Sequence, residues 1–338
     1  MIGTINKVIT KIIGAEKANK ISQHKRLCFS YYKDLSLYSK HSIIHSLDTP
    51  NKIECQLILY YHSIEKGLLF KNTKPRFAKR LILNIHPLLS DESIKKLVNR
   101  SQVSTAYRVM CQYYELHQKL GVDIEDLFTK EQYEGYKSIL STNYDSDFHG
   151  AIDYTKDEFY SFTDSDFGQF SNSRKSIRNF TGELVPTDSI KNAVQIAINT
   201  PSSCNRQSSK VYLVEDKVKI DNILAIQGGV NGFTDNINQL LIVTVDRNYF
   251  FSIGERNQFY IDGGMFLMNL LYGLHFNKIA CCPANWGKVQ QDEDLLDDIV
   301  KIPESEKIIC LVPIGIAESE FRVTLSKRRD LKEVFKQI

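Results

Sequence analysis

The sequence has no run approaching the roughly 18 consecutive apolar residues that a membrane-crossing helix needs. Its N-terminus has neither a continuous apolar stretch nor a small-residue cleavage site, so no signal peptide is read there. None of its seven cysteines is spaced C-x-x-C, which argues against a zinc ribbon or a redox pair. Cys281 and Cys282 are neighbours, and a disulfide between neighbours is strained. Reduced thiols and a cytoplasmic location are therefore expected. No glycine-rich phosphate loop, paired-carboxylate motif or Ser-His-Asp arrangement is recognisable, nor is any internal repeat. No basic stripe with interleaved aromatics is found, so nucleic acid is not an expected partner. Trp286 is the sole tryptophan.

What is present is an ordinary globular composition. Hydrophobic residues make up 42% and charged residues 25% of the 338 positions, enough for a real core and long enough for two domains. The net charge of +3 is uneven: residues 1–26 hold six cations and one carboxylate, a net of +5, which leaves −2 for the rest. In MIGTINKVITKIIG, Ile2, Ile5, Ile9, Ile12 and Ile13 recur at helical spacing around Lys7 and Lys11. A helix packed on its own protein or a partner is the expectation there, with peripheral membrane contact through residues 1–26 as the sharper alternative.

Residues 27–140 read as helical, giving a helical N-terminal domain over 1–140. In QLILYYHSIEKGLLF (56–70), Gly67 is placed to end a helix with Lys66 near its C-terminus. His62, Glu65 and Lys66 form a polar cluster for which a surface ion pair is the default. His41 and His45 fall on one face if helical, but without a third ligand no metal is expected. Residues 141–172 lose all periodicity and read as a linker or arm lying against another surface. From 173 the pattern mixes helices and strands through to 338. Pro186-Thr187 opens a helix, with Thr187 as its cap. KVYLVED (210–216), LLIVTVD (240–246) and IICLVPIGIA (308–317) read as strands, the latter two buried. Phe259 to Phe276 is apolar almost all round, which calls for burial in a core or a subunit interface. The fold class expected is α+β, a mixed sheet flanked by helices and preceded by the helical domain.

Four clusters carry chemistry. SRKSIRNF (173–180) packs Arg174, Lys175 and Arg178 around the hydroxyl of Ser176, a candidate anion cradle against the plainer reading of a solvated charge patch. TPSSCNRQSS (200–209) supplies Pro201, Ser202, Ser203, Asn205 and Gln207, short polar groups suited to a polar ring-bearing ligand. CCPANWG (281–287) offers Asn285 and Trp286, where packing and an aromatic ligand wall weigh about equally. TLSKRRDL (324–331) holds Lys327, Arg328 and Arg329 as a second cationic knot just after a strand.

In their order and spacing these clusters resemble the nitroreductase family of FMN-dependent oxidoreductases, over roughly residues 170–335. The resemblance implies that Arg174, Lys175, Ser176 and Arg178 grip FMN, with Arg174 and Ser176 on the phosphate and Arg178 toward the ribityl chain and the flavin N1/C2=O edge. It implies a homodimer in which Pro201, Ser202, Ser203, Asn205 and Gln207 reach the partner's flavin. Asn285 and Trp286 match the loop approaching flavin N5, although Pro-Ala-Asn before Trp286 departs from the common version. Lys327 and Arg329 match the basic pair that completes the phosphate site. The implied activity is hydride transfer from NAD(P)H through the flavin to a small oxidised or conjugated substrate. Dehydrogenation of a biosynthetic intermediate, and a non-catalytic interaction module at a membrane surface, are the alternatives. No residue of QGGVNGF (227–233) is matched to the flavin, residues 1–150 lie outside the resemblance, and no catalytic side chain is assigned.

Overall fold

The computed structural model describes residues 14–41, 43–70, 73–250 and 252–338. The isoleucine-rich stretch 2–13 lies outside them. The N-terminal half is helical: α1 (Ala15–His41), α2 (Pro50–Gly67), α3 (Lys79–Leu89), α4 (Glu92–Lys95), α5 (Ser101–Lys119) and α6 (Lys130–Leu140). Because α1 ends at His41, His45 lies beyond it and the two histidines do not share a helix face. Among the described residues no group of three or more His, Cys, Asp or Glu is placed to hold a metal ion. No described helix is long and apolar enough to cross a membrane.

Local sequence sets these helices. Thr49 caps α2 by accepting a hydrogen bond from the Lys52 N–H at 3.4 Å, and Pro50 occupies the first turn, where its missing N–H costs nothing. Thr129 and Gln132 form a reciprocal capping box on α6. Ile53, Leu57, Tyr61 and Ile64 make the inward stripe of α2 and meet Ile82, Ile85, Tyr107, Met110 and Phe128 in one buried cluster. At Gly67, where α2 ends, a Cβ would stand 2.3 Å from the Phe77 ring, so a larger residue there would have to displace that ring.

The segment 141–172 is structured. β1 (Ala151–Thr155) pairs antiparallel with the last strand of the chain, and α7 (Lys156–Tyr160) and α8 (Phe167–Ser173) follow. Next come α9 (Thr187–Ile198), β2 (Ser209–Val214), α10 (Lys217–Gln227), β3 (Gln239–Asp246), α11 (Gln258–Phe276), β4 (Ala280–Cys281), β5 (Ala284–Asn285), α12 (Gln290–Ile299), β6 (Glu306–Gly315), β7 (Glu320–Thr324) and α13 (Leu331–Val334). Thr187 is the first residue of α9 and not its cap. Pro186 holds the cap position, with no side-chain hydrogen bond.

The main sheet runs β2-β3-β6-β4, with β5 also on β6. Every pairing among the described strands is antiparallel. The chain is α+β, helices first and the sheet after. All eight residues of β3 are buried because both sheet faces are covered. Leu240 and Ile242 point to the layer holding Ile220, Leu224 and Leu296, while Leu241 and Val243 point to the layer holding Ala193, Leu270 and Leu274. On α11, Phe266, Leu270, Leu271 and Leu274 are buried, but Tyr260, Ile261, Met265 and Met268 stay exposed in the single chain.

Candidate anion and cofactor site

α8 stops at Ser173, and the chain turns extended at Arg174 (φ −62°, ψ 119°). Ser173 Oγ lies 2.8 Å from Nε2 of His275 on α11, which pins the start of the run. His275 is held neutral, its pKa lowered to about 4 by burial and then by the charge of Arg174. Further on, the Ile177 N–H donates to the Cys281 carbonyl at 2.9 Å, and Phe180 forms a bridge with Ala317. Alternate residues of an extended run share a face, so Arg174, Ser176 and Arg178 belong together, opposite Ile177.

The Cys282 thiol marks that face. Burial raises its pKa, and Arg178, Lys66 and Arg174 oppose the rise in that order, with a hydrogen bond from the Ser176 hydroxyl. Burial prevails, so the thiol stays protonated.

Arg178 is only 9% exposed, and its Nε and Nη1 are buried without a hydrogen-bond partner. Nη1 of Arg174 is in the same position. Lys66, at the end of α2, is half-buried. Its pKa is lowered first by burial and then by the charge of Arg178. Lys175 is lowered by burial, then by Arg328 and Arg174. No carboxylate is among the groups acting on either lysine. Buried cations stacked on one another without acids are unfavourable unless an anion joins them. Three buried guanidinium nitrogens without a partner are donors of the kind that a phosphate accepts from. These orphaned nitrogens fit the phosphate of FMN.

The second cationic knot divides unexpectedly. Arg328 comes near Lys175, with its Nη1 donating to the Ser326 carbonyl at 2.7 Å. Arg329 turns away, to Glu54 on α2 at 2.7 Å and Glu333 at 3.2 Å. Lys327 is exposed, 3.8 Å from Asp330, and its carbonyl accepts from Gln102 at 3.0 Å. Of the three, Arg328 is the one whose charge acts on Lys175, while Lys327 and Arg329 engage Asp330, Glu54 and Glu333.

The other expected residues lie elsewhere. Pro201, Ser202 and Gln207 line a separate cavity of about 160 Å³ with Ile198, Asp262 and Phe266. The Ser203 N–H donates to Asp262 at 3.1 Å, and Asn205 Oδ1 accepts from Gln207 at 3.0 Å. Trp286 is a core residue, 5% exposed, packed with Cys282 and Ala284, although its indole N–H is buried without a partner. The Asn285 side chain is exposed, and its carbonyl accepts from Gln227 at 3.0 Å, tying 227–233 to this loop. Lys66 was missed in the sequence because Glu65 beside it suggested a surface pair. Glu65 is instead fully buried and bonded to His62 at 3.0 Å.

The nitroreductase family model matches residues 172–229. No curated protein matches the chain. Among solved structures, a protein of Desulfovibrio desulfuricans described as a nitroreductase in complex with FMN is 20% identical, covering 52% of this chain and 98% of its own, with a TM-score of 0.44. A nitroreductase-like protein of Streptococcus mutans is 19% identical over 51% and 98%, with a TM-score of 0.44. An FMN-dependent nitroreductase of Clostridium difficile R20291 is 17% identical over 44% and 86%, with a TM-score of 0.39. Over residues 172–229, and with them the cations of 174–178, the sequence is similar to the nitroreductase family, behind a helical N-terminal region that the family model does not match.

Proposed function

We propose that the chain is an FMN-dependent oxidoreductase that draws electrons from NAD(P)H and passes them to a small oxidised or conjugated substrate. The observation that carries this reading is the trio of buried, unpartnered guanidinium nitrogens on Arg174 and Arg178 inside an acid-free cluster of cations. FMN, when bound, supplies the two-electron hydride chemistry. The chain's own part is to bind and orient. Arg174 and Arg178 hold the phosphate, with Ser176 between them, a departure from the resemblance, which implies Arg178 at the flavin N1/C2=O edge; the orphaned nitrogens that both guanidiniums carry support it. His275, neutral, fixes Ser173 and so the direction in which Arg174 leaves α8. The test is the visible absorption spectrum of the purified protein and of its heat-released supernatant, then anaerobic addition of NADH or NADPH. A released flavin identified as FMN by mass, bleached on the protein by either nucleotide, is the expected result. A colourless protein that takes up no added FMN ends the reading; FMN that neither nucleotide bleaches removes the reductase part.

A homodimer belongs to the same proposal. Tyr260, Ile261, Met265 and Met268 form an exposed apolar stripe on α11, and exposed Ile198 continues it. The cavity lined by Pro201, Ser202 and Gln207 opens beside this stripe. A second copy seated here would bring 201–207 to a neighbouring cluster and take apolar surface out of water. Light scattering should give twice the mass of the 38.9 kDa chain, and Ile261→Lys should yield a monomer. A monomeric parent chain would overturn the pairing.

A further inference from the structure

We propose that the chain carries a second small-molecule site, one that takes a nucleotide, in a cavity of about 620 Å³ between α1 and residues 247–259. None of the lining residues belongs to the four clusters described above, and none lies within the stretch that the family model matches. The inference goes beyond the flavin reading and does not depend on it.

One wall is α1. Gln23, Arg26, Leu27 and Tyr31 line the cavity at i, i+3, i+4 and i+8, a single face of that helix. The uneven charge of the sequence thereby finds a place: residues 1–26 carry a net +5, and Arg26 of that segment stands at the cavity. No ion pair of the Arg26 guanidinium is found among the described residues. The opposite wall is built from rings and cations. Phe250 and Phe259 meet edge to face, with centroids 6.1 Å apart. The Arg206 guanidinium lies over Phe250 at 5.0 Å, and that of Arg247 over Phe259 at 5.5 Å. Arg206 also grips Glu255 with both arms, each at 2.9 Å, which fixes the turn at 253–255.

These walls select for charge and shape together. Glu255 is the one carboxylate among the lining residues, against Arg26, Arg247 and Arg256, so the lining carries a net +2 and calls for an anion. Arginine forks meet phosphate oxygens in pairs, and guanidinium planes stack on flat rings. Half-exposed Tyr31 adds an aromatic face on which a base can stack. A lone phosphate would use the arginines and leave the rings facing water, while an uncharged ring would leave the arginines unmatched. A nucleotide engages both, and the volume lies within the range of small-molecule sites.

The test is calorimetric titration of the full chain, with and without saturating FMN, using ADP, GDP, their nucleosides and inorganic pyrophosphate. At least one nucleotide should bind in both states without displacing FMN, with its nucleoside and pyrophosphate each about tenfold or more weaker. Arg26→Met and Tyr31→Ala change exposed positions of α1, so the fold should survive both. Each should weaken the nucleotide about tenfold and leave FMN affinity as in the parent. Absence of nucleotide binding up to millimolar concentration overturns the inference. So does a nucleotide that competes with FMN, pyrophosphate that binds as tightly as the nucleotide, or parental nucleotide affinity in either variant. The titration without FMN reads the inference even if the chain takes up no flavin, so the two readings fail separately.

Discussion

Arg178→Met is expected to lose FMN by roughly a hundredfold to ten-thousandfold. Two buried donors, Nε and Nη1, have no partner within the chain. Each charge-assisted hydrogen bond they make to a phosphate is worth roughly 1.5–3 kcal/mol, and 1.4 kcal/mol is tenfold in affinity. Methionine keeps the length and apolar stem while removing the charge. The ligand-free variant should therefore melt no lower than the parent, since a buried cation with two unpartnered donors has been removed. Arg178→Lys should fall between the two, because it restores charge without the planar fork. Flavin fluorescence titration and calorimetry of the ligand-free proteins measure both effects. Retention of parental affinity in Arg178→Met would show that the guanidinium serves packing alone.

The largest expected loss of stability is at Gly273. There α11 crosses α9 so closely that a Cβ would stand 2.5 Å from the Ala193 carbonyl oxygen. That neighbour is backbone, so it cannot swing aside. Gly273→Ala must part the two helices and open the layer formed by Ala193, Ala197, Leu270 and Leu274. Overpacking of this kind costs about 1–3 kcal/mol, and a rigid backbone contact belongs at the upper end. Gly135 on α6 is the control: it is exposed, and a Cβ there meets nothing within 4 Å. Gly135→Ala should stabilise by roughly 0.5–1 kcal/mol, the ordinary helix preference for alanine. Urea unfolding of the pair reads both signs, and equal stability of Gly273→Ala and the parent would refute the close crossing.

The strands 240–246 and 308–317 were legible because a strand buried on both faces needs an uninterrupted apolar run, and both show one. β1 was not legible. It is five residues long, pairs with a single neighbour and buries little of itself, so composition had no reason to record it. The first half of the site was readable because Arg174, Ser176 and Arg178 lie on one short stretch. The rest depends on which way a side chain leaves the backbone. Arg328 and Arg329 are adjacent and chemically alike, yet one joins Lys175 and the other Glu54. Glu65 and Lys66 look like a pair and face apart. Trp286 could equally have walled a ligand or filled a core, and the packing around Ala284 places it in the core. The boundaries 1–140, 141–172 and 173–338 remain a proposal, one that the pairing of β1 with β7 qualifies by tying part of the middle segment to the C-terminal strand.

That pairing of β1 with β7 also sets a timetable for the nascent chain. Helices α2 to α6 bury their apolar faces mainly against one another, so this region can collapse while the ribosome is still translating. β1 emerges next but has to wait for Glu320–Thr324, some 165 residues further along the chain. Arg328 comes later still. The charge of Arg328 therefore reaches Lys175 only after the helical region has been made, and repulsion among these cations enters late. An anion bound at that stage would relieve the repulsion and so assist the last step of folding.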